Sequence, residues 1–162
     1  MAVAREPERN FVPAPEGLHP AVCVDEVDLG DVETAWGPRP TVEIRWQLGR
    51  MNPETGRRFE VHKRYRLSLH KKSSLRRDLE IWRGQGFTPE QLKGFDLERL
   101  IGVPCQVQVQ HHRADEETVY ANVTAVLPAM PGGPALQPLD YIRQKSRAGG
   151  APAMPTADEV PF

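Results

Sequence analysis

The sequence predicts a mainly β domain with a helical insert and a tail that builds no core. Three observations carry this. Five segments alternate apolar and polar residues with a period of two, and one segment between the third and fourth repeats apolar residues at helical spacing. The last 35 residues hold 7 Pro, 4 Gly and 6 Ala, a composition that buries no face. The boundaries drawn are an irregular lead-in over residues 1–15, one domain over 16–127, and a flexible tail over 128–162. Within the tail, only Leu136–Lys145 (LQPLDYIRQK) carries side chains suited to docking on the domain.

The first strand, Leu18–Leu29, mixes Val22, Val24 and Leu29 with Asp25, Glu26 and Asp28, the imperfect alternation of a long bent strand. The second, Thr41–Leu48, sets Val42, Ile44, Trp46 and Leu48 against Thr41, Glu43, Arg45 and Gln47. The third, Phe59–His70, sets Phe59, Val61, Tyr65, Leu67 and Leu69 against Glu60, His62, Arg64, Arg66, Ser68 and His70, with Lys63 intruding on the apolar row. Asn-Pro and Thr-Gly in the intervening MNPETGRR predict an antiparallel hairpin. Ser73 and Ser74 then cap a helix to Arg83, with Leu75, Leu79 and Trp82 on one face and Gly84 at its end. Thr88-Pro89-Glu90 and Asp96–Ile101 each start a short helical turn. Cys105, Val107 and Val109 alternate in a fourth strand, Pro104–His112. Val119, Ala121, Val123, Ala125 and Leu127 alternate with Tyr120, Asn122 and Thr124 in a fifth, Thr118–Leu127. Three strands, a helical insert and two strands is the element order of the OB-fold, a five-stranded, partly open Greek-key barrel, and this all-β class is the fold expected.

Several chemistries lack their residues. The chain has no phosphate-binding loop, nucleophile elbow, His-Glu-x-x-His pair or dinucleotide glycine fingerprint. His111 and His112 are adjacent, so on a strand they point to opposite faces. Asp25, Glu26 and Asp28 read as a solvated strand end rather than a metal-dependent nuclease centre. Cys23 and Cys105 stand apart from any partner motif and read as small buried residues. The expectation is therefore a non-enzymatic protein with no metal and no cofactor. No stretch nears the ~20 apolar residues of a membrane span, and MAVAREPERN lacks the apolar run of a secretory signal. A cytoplasmic protein without a membrane partner is expected.

Charge is partitioned along the chain. Residues 1–38 carry a net −6, residues 39–83 a net +8 and residues 84–162 a net −3. A basic block between acidic flanks points to a polyanion-binding surface. His62, Arg64 and Arg66 share one strand face at intervals of about 6.5 to 7 Å, and Arg45 joins them if the hairpin pairs as proposed. Arg57 and Arg58 lie at the hairpin tip, and Lys71, Lys72, Arg76 and Arg77 continue the charge around the helix start. Unpaired bases also stack on aromatic rings. Trp36, in the turn-rich TAWGPRP, and Tyr120, on the polar side of the fifth strand, are the candidate platforms. Trp46, Tyr65, Phe59 and Trp82 fall on apolar rows and are assigned to the core.

The last five residues, Asp158-Glu159-Val160-Pro161-Phe162, form an acidic pair followed by an apolar residue, proline and phenylalanine. This run resembles the C-terminal tip of bacterial and phage single-stranded-DNA-binding proteins, an acidic stretch ending in Asp-x-Ile/Val-Pro-Phe behind a Gly/Pro-rich linker. The resemblance implies that Asp158 and Glu159 are the acidic part, Val160 and Pro161 shape the tip, and Phe162 anchors it in replication or recombination proteins. The acidic part is two residues here, against a longer stretch in the familiar bacterial proteins. From about Phe11 to Leu127 the domain is similar to small phage proteins associated with replication. Its runs TVEIRWQL and KRYRLSLHKKSSLRRDLEIWRGQGFTPEQLKGFDLERLIGVPC carry that likeness, while the motifs of the common bacterial domain are not found.

Together these imply a phage or prophage single-stranded-DNA-binding protein for replication, recombination or repair. RNA is left open as a ligand, since stacking and phosphate contacts hardly separate the two. Strand edges also admit a homodimer. The alternative is a phage protein-interaction module whose basic face meets an acidic host protein.

Overall fold

The computed structural model describes residues 12–116, 118–133 and 135–147, with Ala2 and Ala4; the Asp158–Phe162 run lies outside them. Five strands, β1 (Gly17–Thr34), β2 (Gly37–Asn52), β3 (Arg57–Arg66), β4 (Pro104–Arg113) and β5 (Val119–Pro128), form one antiparallel sheet in the order β3-β2-β1-β4-β5. Between β3 and β4 lie α1 (Ser74–Arg83), α2 (Pro89–Lys93) and a 3-10 turn (Leu97–Leu100); α3 (Gln144–Arg147) follows β5. The chain is thus mainly β, and its sheet is open: the β3 and β5 edges approach each other but share no ladder. No helix among the described residues is long and apolar enough to cross a membrane.

β1 joins the two halves of the sheet because it is long and bent. Its first part pairs with β4 and its remainder with β2, with register shifts at Cys23/Asp25 and Asp28/Gly30. Each shift leaves one extra residue on β1, which bends the strand and spoils its alternation, as the sequence pattern had indicated. Gly30 takes φ 67°, a backbone region that suits glycine.

β2 starts earlier than its sequence pattern suggests. Pro38 and Pro40 lie within it, and prolines argue against a strand. They are tolerated because the Pro40 carbonyl accepts from the Leu67 amide at 2.8 Å, on the side where β3 has already ended. Their missing N–H groups therefore face no strand partner. β3 correspondingly stops at Arg66 rather than His70, and Leu67 is exposed.

The apolar rows of β2 and β3, with Ala21 and Cys23 of β1, Cys105, Val107 and Val109 of β4 and Leu75, Leu79 and Trp82 of α1, make one core. Trp46 and Trp82 meet at 6.2 Å between ring centroids, and the Trp82 indole donates to the Pro104 carbonyl at 3.0 Å. Phe59 and Tyr65 are buried too, as expected for the apolar rows. Both cysteines are free and buried, and burial pushes both thiols up from their ordinary pKa. On β5 the reading needs correction. A register shift between Gln108 and Val109 makes Val126 the buried residue, while Ala125 and Leu127 are only partly covered. A bulge reverses the facing of every residue beyond it, which strict alternation misses.

Lys63, the intruder on the apolar row, has a specific partner. It lies across from Ile44 on the core side, and its ammonium meets Asp78 of α1 at 3.0 Å. The Tyr65 hydroxyl donates to the same carboxylate at 2.7 Å, and the Lys63 ammonium sits 5.1 Å from the Tyr65 ring centre. Burial and the Asp78 charge push the Tyr65 phenol up from its usual pKa.

The helix termini follow the sequence signals. Ser73 caps α1 by accepting from the Arg76 amide, Thr88 and Gln91 form a capping box on α2, and Asp96 caps the 3-10 turn. Gly84 ends α1 at φ 72°, its amide bonded to the Glu80 and Ile81 carbonyls. A Cβ there would meet nothing within 4 Å, so Gly84→Ala carries only backbone strain. It is expected to lower stability by about 1 kcal/mol in urea unfolding with an unchanged m-value.

Candidate nucleic-acid interface

The outward face of β2 and β3 collects the polar residues that alternate with the core. Arg45 pairs across the ladder with His62, Glu43 with Arg64 and Thr41 with Arg66, so Arg45 does share the face of the β3 row. The centre of this face is a carboxylate. Glu43 is 5% exposed and is met by Arg45 at 2.7 Å, Arg64 at 3.3 Å and His62 at 4.0 Å. Burial pushes its carboxyl up, but hydrogen bonds and charge from Arg45, His62 and Arg64 outweigh that and hold it below the usual range. One buried negative charge thus organises the cations around it.

Arg64 and Arg66 remain open to solvent. The Arg64 side chain is 62% exposed despite its contact with Glu43, and Arg66 has no carboxylate partner among the described residues. Both line a groove of about 530 Å³ with Val32, Thr34, Trp36, Arg39, Thr41 and the edge of Tyr65. Trp36 stands at its rim, 82% exposed. It is held there by a two-residue turn, with Thr34 paired to Gly37, the Thr34 hydroxyl donating to the Gly37 carbonyl, and the Trp36 amide donating to the Thr34 hydroxyl. Arg39, which the sequence pattern did not single out, enters this groove because β2 extends back to Gly37.

A second cleft of about 510 Å³ opens at the other end of β3, between its edge and that of β5. Arg57, Arg58 and His62 line it from β3, and Tyr120 and Asn122 from β5; Tyr120 is 53% exposed. The candidate residues therefore divide into two groups, Trp36 with Arg64 and Arg66, and Tyr120 with Arg57, Arg58 and His62, linked by the outward row of β3. Lys71 and Lys72 are exposed in the turn beyond β3. Arg76 is committed to Glu80 at 2.7 Å, and Arg77, 60% exposed, leans on Asp78 at 3.2 Å.

Leu136–Lys145 docks, and it does so across the outward face of β1 and β2. The Gln47 amide donates to the Leu139 carbonyl at 2.7 Å while its carbonyl accepts from the Leu139 amide at 2.9 Å. Arg58 donates to the Gln137 carbonyl. Arg45 donates to the Tyr141 hydroxyl and to Gln144, and is left only 26% exposed. Val22, fully buried and paired across from Gln47, lies under this crossing. Arg45 is therefore a covered residue at the border of the open row, and the sequence shows nothing of its cover beyond the compositional island itself.

The strap ends on carboxylates. Asp25, read from sequence as part of a solvated acidic run, is completely buried. It accepts from Arg143 at 2.7 Å, the Tyr141 hydroxyl at 2.7 Å and the Gln144 amide at 2.8 Å. Asp28 instead accepts from the Gly30 amide, so the three acids of β1 do not converge. Among the described residues, no group of three or more His, Cys, Asp or Glu is placed to hold a metal ion.

No protein-family model matches the chain, and no curated protein does.

Proposed function

We propose that the protein binds single-stranded DNA without catalysing a reaction, and serves replication, recombination or repair. The observation that carries this reading is the groove in which Arg64 and Arg66 lie open beside an 82% exposed Trp36. Cations at strand spacing suit a phosphodiester backbone, and an exposed indole suits an unpaired base. From Arg58 to Arg66, β3 runs about 27 Å, room for a site of roughly four nucleotides. The fold that accompanies this reading is the OB-fold. It is supported by the element order and by a sheet order that would close as a five-stranded barrel if β3 and β5 paired.

Fluorescence titration with an oligo-dT of ~30 nucleotides at low salt tests the reading. Saturable binding that weakens steeply with added salt is expected. Absence of binding, with salt-sensitive capture of an acidic protein instead, would replace it with the interaction-module alternative. Arg66→Gln is expected to weaken binding and to reduce the slope of log K against log salt by about 1, as for one lost phosphate contact. We assign partner recruitment to Asp158–Phe162; deleting these residues should abolish capture of replication proteins while leaving oligonucleotide affinity at least as strong.

A further inference from the structure

The strap meets an acidic cluster that would otherwise oppose a polyanion. Arg143 chelates Glu98 at 2.7 and 3.0 Å, reaches Asp25 at 2.7 Å and stands 3.9 Å from Glu26; Lys145 meets Glu98 at 3.3 Å. Asp25 and Arg45 pair across the β1–β2 ladder, and Arg45 pairs with His62 on β3. Two strand spacings, about 10 Å, thus separate the cluster from the open β3 row, comparable with the Debye length in moderate salt. A bare cluster at that distance would repel a phosphate backbone on β3.

Resting on the reading above, we propose that the Leu136–Lys145 strap is a standing part of the polyanion-binding surface: Arg143 and Lys145 cancel the charge of Asp25 and Glu98, and the nucleic acid runs beside the strap, not in its place. The contacts favour this over a removable cover. Lifting the strap would free Arg45 and Gln47, but it would also bare a completely buried carboxylate and the Glu26–Glu98 pair, making the vacated face acidic. Arg45 also has Glu43 as a second partner and contributes little net charge once uncovered.

The cluster is neutral only while Glu26 keeps its proton. Burial and its hydrogen bond to Glu98 raise the Glu26 carboxyl to about 8, and Arg143 holds Glu98 at about 2. The groups facing Glu26 are Glu98 from the 3-10 turn, Asp25 from β1 and Arg143 from the strap. Because the folded pKa of Glu26 is raised, its contribution to docking is fully present below its ordinary value of 4.5, falls progressively as pH rises, and is lost once pH passes about 8. Glu98, depressed, stays ionised throughout that window.

The test uses the full chain and oligo-dT. At pH 7, Arg143→Gln is expected to bind about fivefold to tenfold more weakly than the unmodified chain, and adding Glu98→Gln should restore most of the loss. The unmodified chain should lose affinity between pH 7 and pH 9 more steeply than Glu26→Gln. Trypsin cleavage after Arg143 and Lys145, followed without DNA, should accelerate between about pH 6 and pH 8 more in the unmodified chain than in Glu26→Gln, and the difference should level off above about pH 8. Equal or tighter binding by Arg143→Gln would overturn the inference and make the strap a bystander or a cover. A chain that binds no oligonucleotide would overturn the functional reading itself, while the trypsin result would still report the strap's docking.

Discussion

Asp78→Ala is expected to cost about 3 kcal/mol of folding stability and to lower the melting temperature by about 10 °C. The carboxylate is 4% exposed and serves three groups at once, the Lys63 ammonium, the Tyr65 hydroxyl and, at the surface, the Arg77 guanidinium. Removing it leaves a cation at 23% exposure on the core side of β3 and a buried phenol without its acceptor. The unmatched charge dominates, because a buried ion deprived of its partner costs far more than the pair contributed while intact. The loss should therefore shrink when the partners go too: Asp78→Leu with Lys63→Met and Tyr65→Phe should recover most of the stability. Urea unfolding with Asp78→Ala within 1 kcal/mol of the parent would show that this pair does not anchor α1 to the sheet.

Trp36→Ala should weaken oligo-dT binding about fivefold or more, since stacking of one base is worth about 1 to 3 kcal/mol. At 82% exposure the indole contributes little to the core, so stability should stay within about 0.5 kcal/mol of the parent. The two effects are separable by fluorescence. Trp46 and Trp82 are buried, which makes Trp36 the emitter that an oligonucleotide should quench. The quench should vanish in Trp36→Ala while the emission of the buried pair persists. An unchanged dissociation constant would remove Trp36 from the interface and leave the exposed arginines alone to account for affinity.

The strands were legible wherever one face met the core. Val42, Ile44, Trp46 and Leu48 alternate because β2 has a wet side and a dry side, and burial follows that pattern. Legibility failed where the backbone departed from strict pairing. The shift after Gln108 exchanged Leu127 for Val126 on the core side, and the prolines of β2 hid its first residues. The candidate surface was legible in part for the same reason: His62, Arg64 and Arg66 share a face through periodicity alone. Asp25 was not recognisable as buried because its partners Tyr141, Arg143 and Gln144 lie far along the chain, and Glu43 because alternation puts it on the wet face, where Arg45 and Arg64, the cross-strand partner of Glu43, meet it. Lys63 carried a usable hint, since a lysine on an apolar row needs a carboxylate and α1 offered Asp78 on its inward face.

The bend in β1 also orders assembly in time. Ala21 pairs with Leu48 on one side and Cys105 on the other, sequence separations of 27 and 84 residues. Closing the longer loop costs about 1 kcal/mol more entropy than the shorter, so the β1–β2–β3 meander should be in place before β4 adds to it. Destabilising substitutions in the meander should then slow refolding, whereas equivalent ones in β4 and β5 should chiefly speed unfolding.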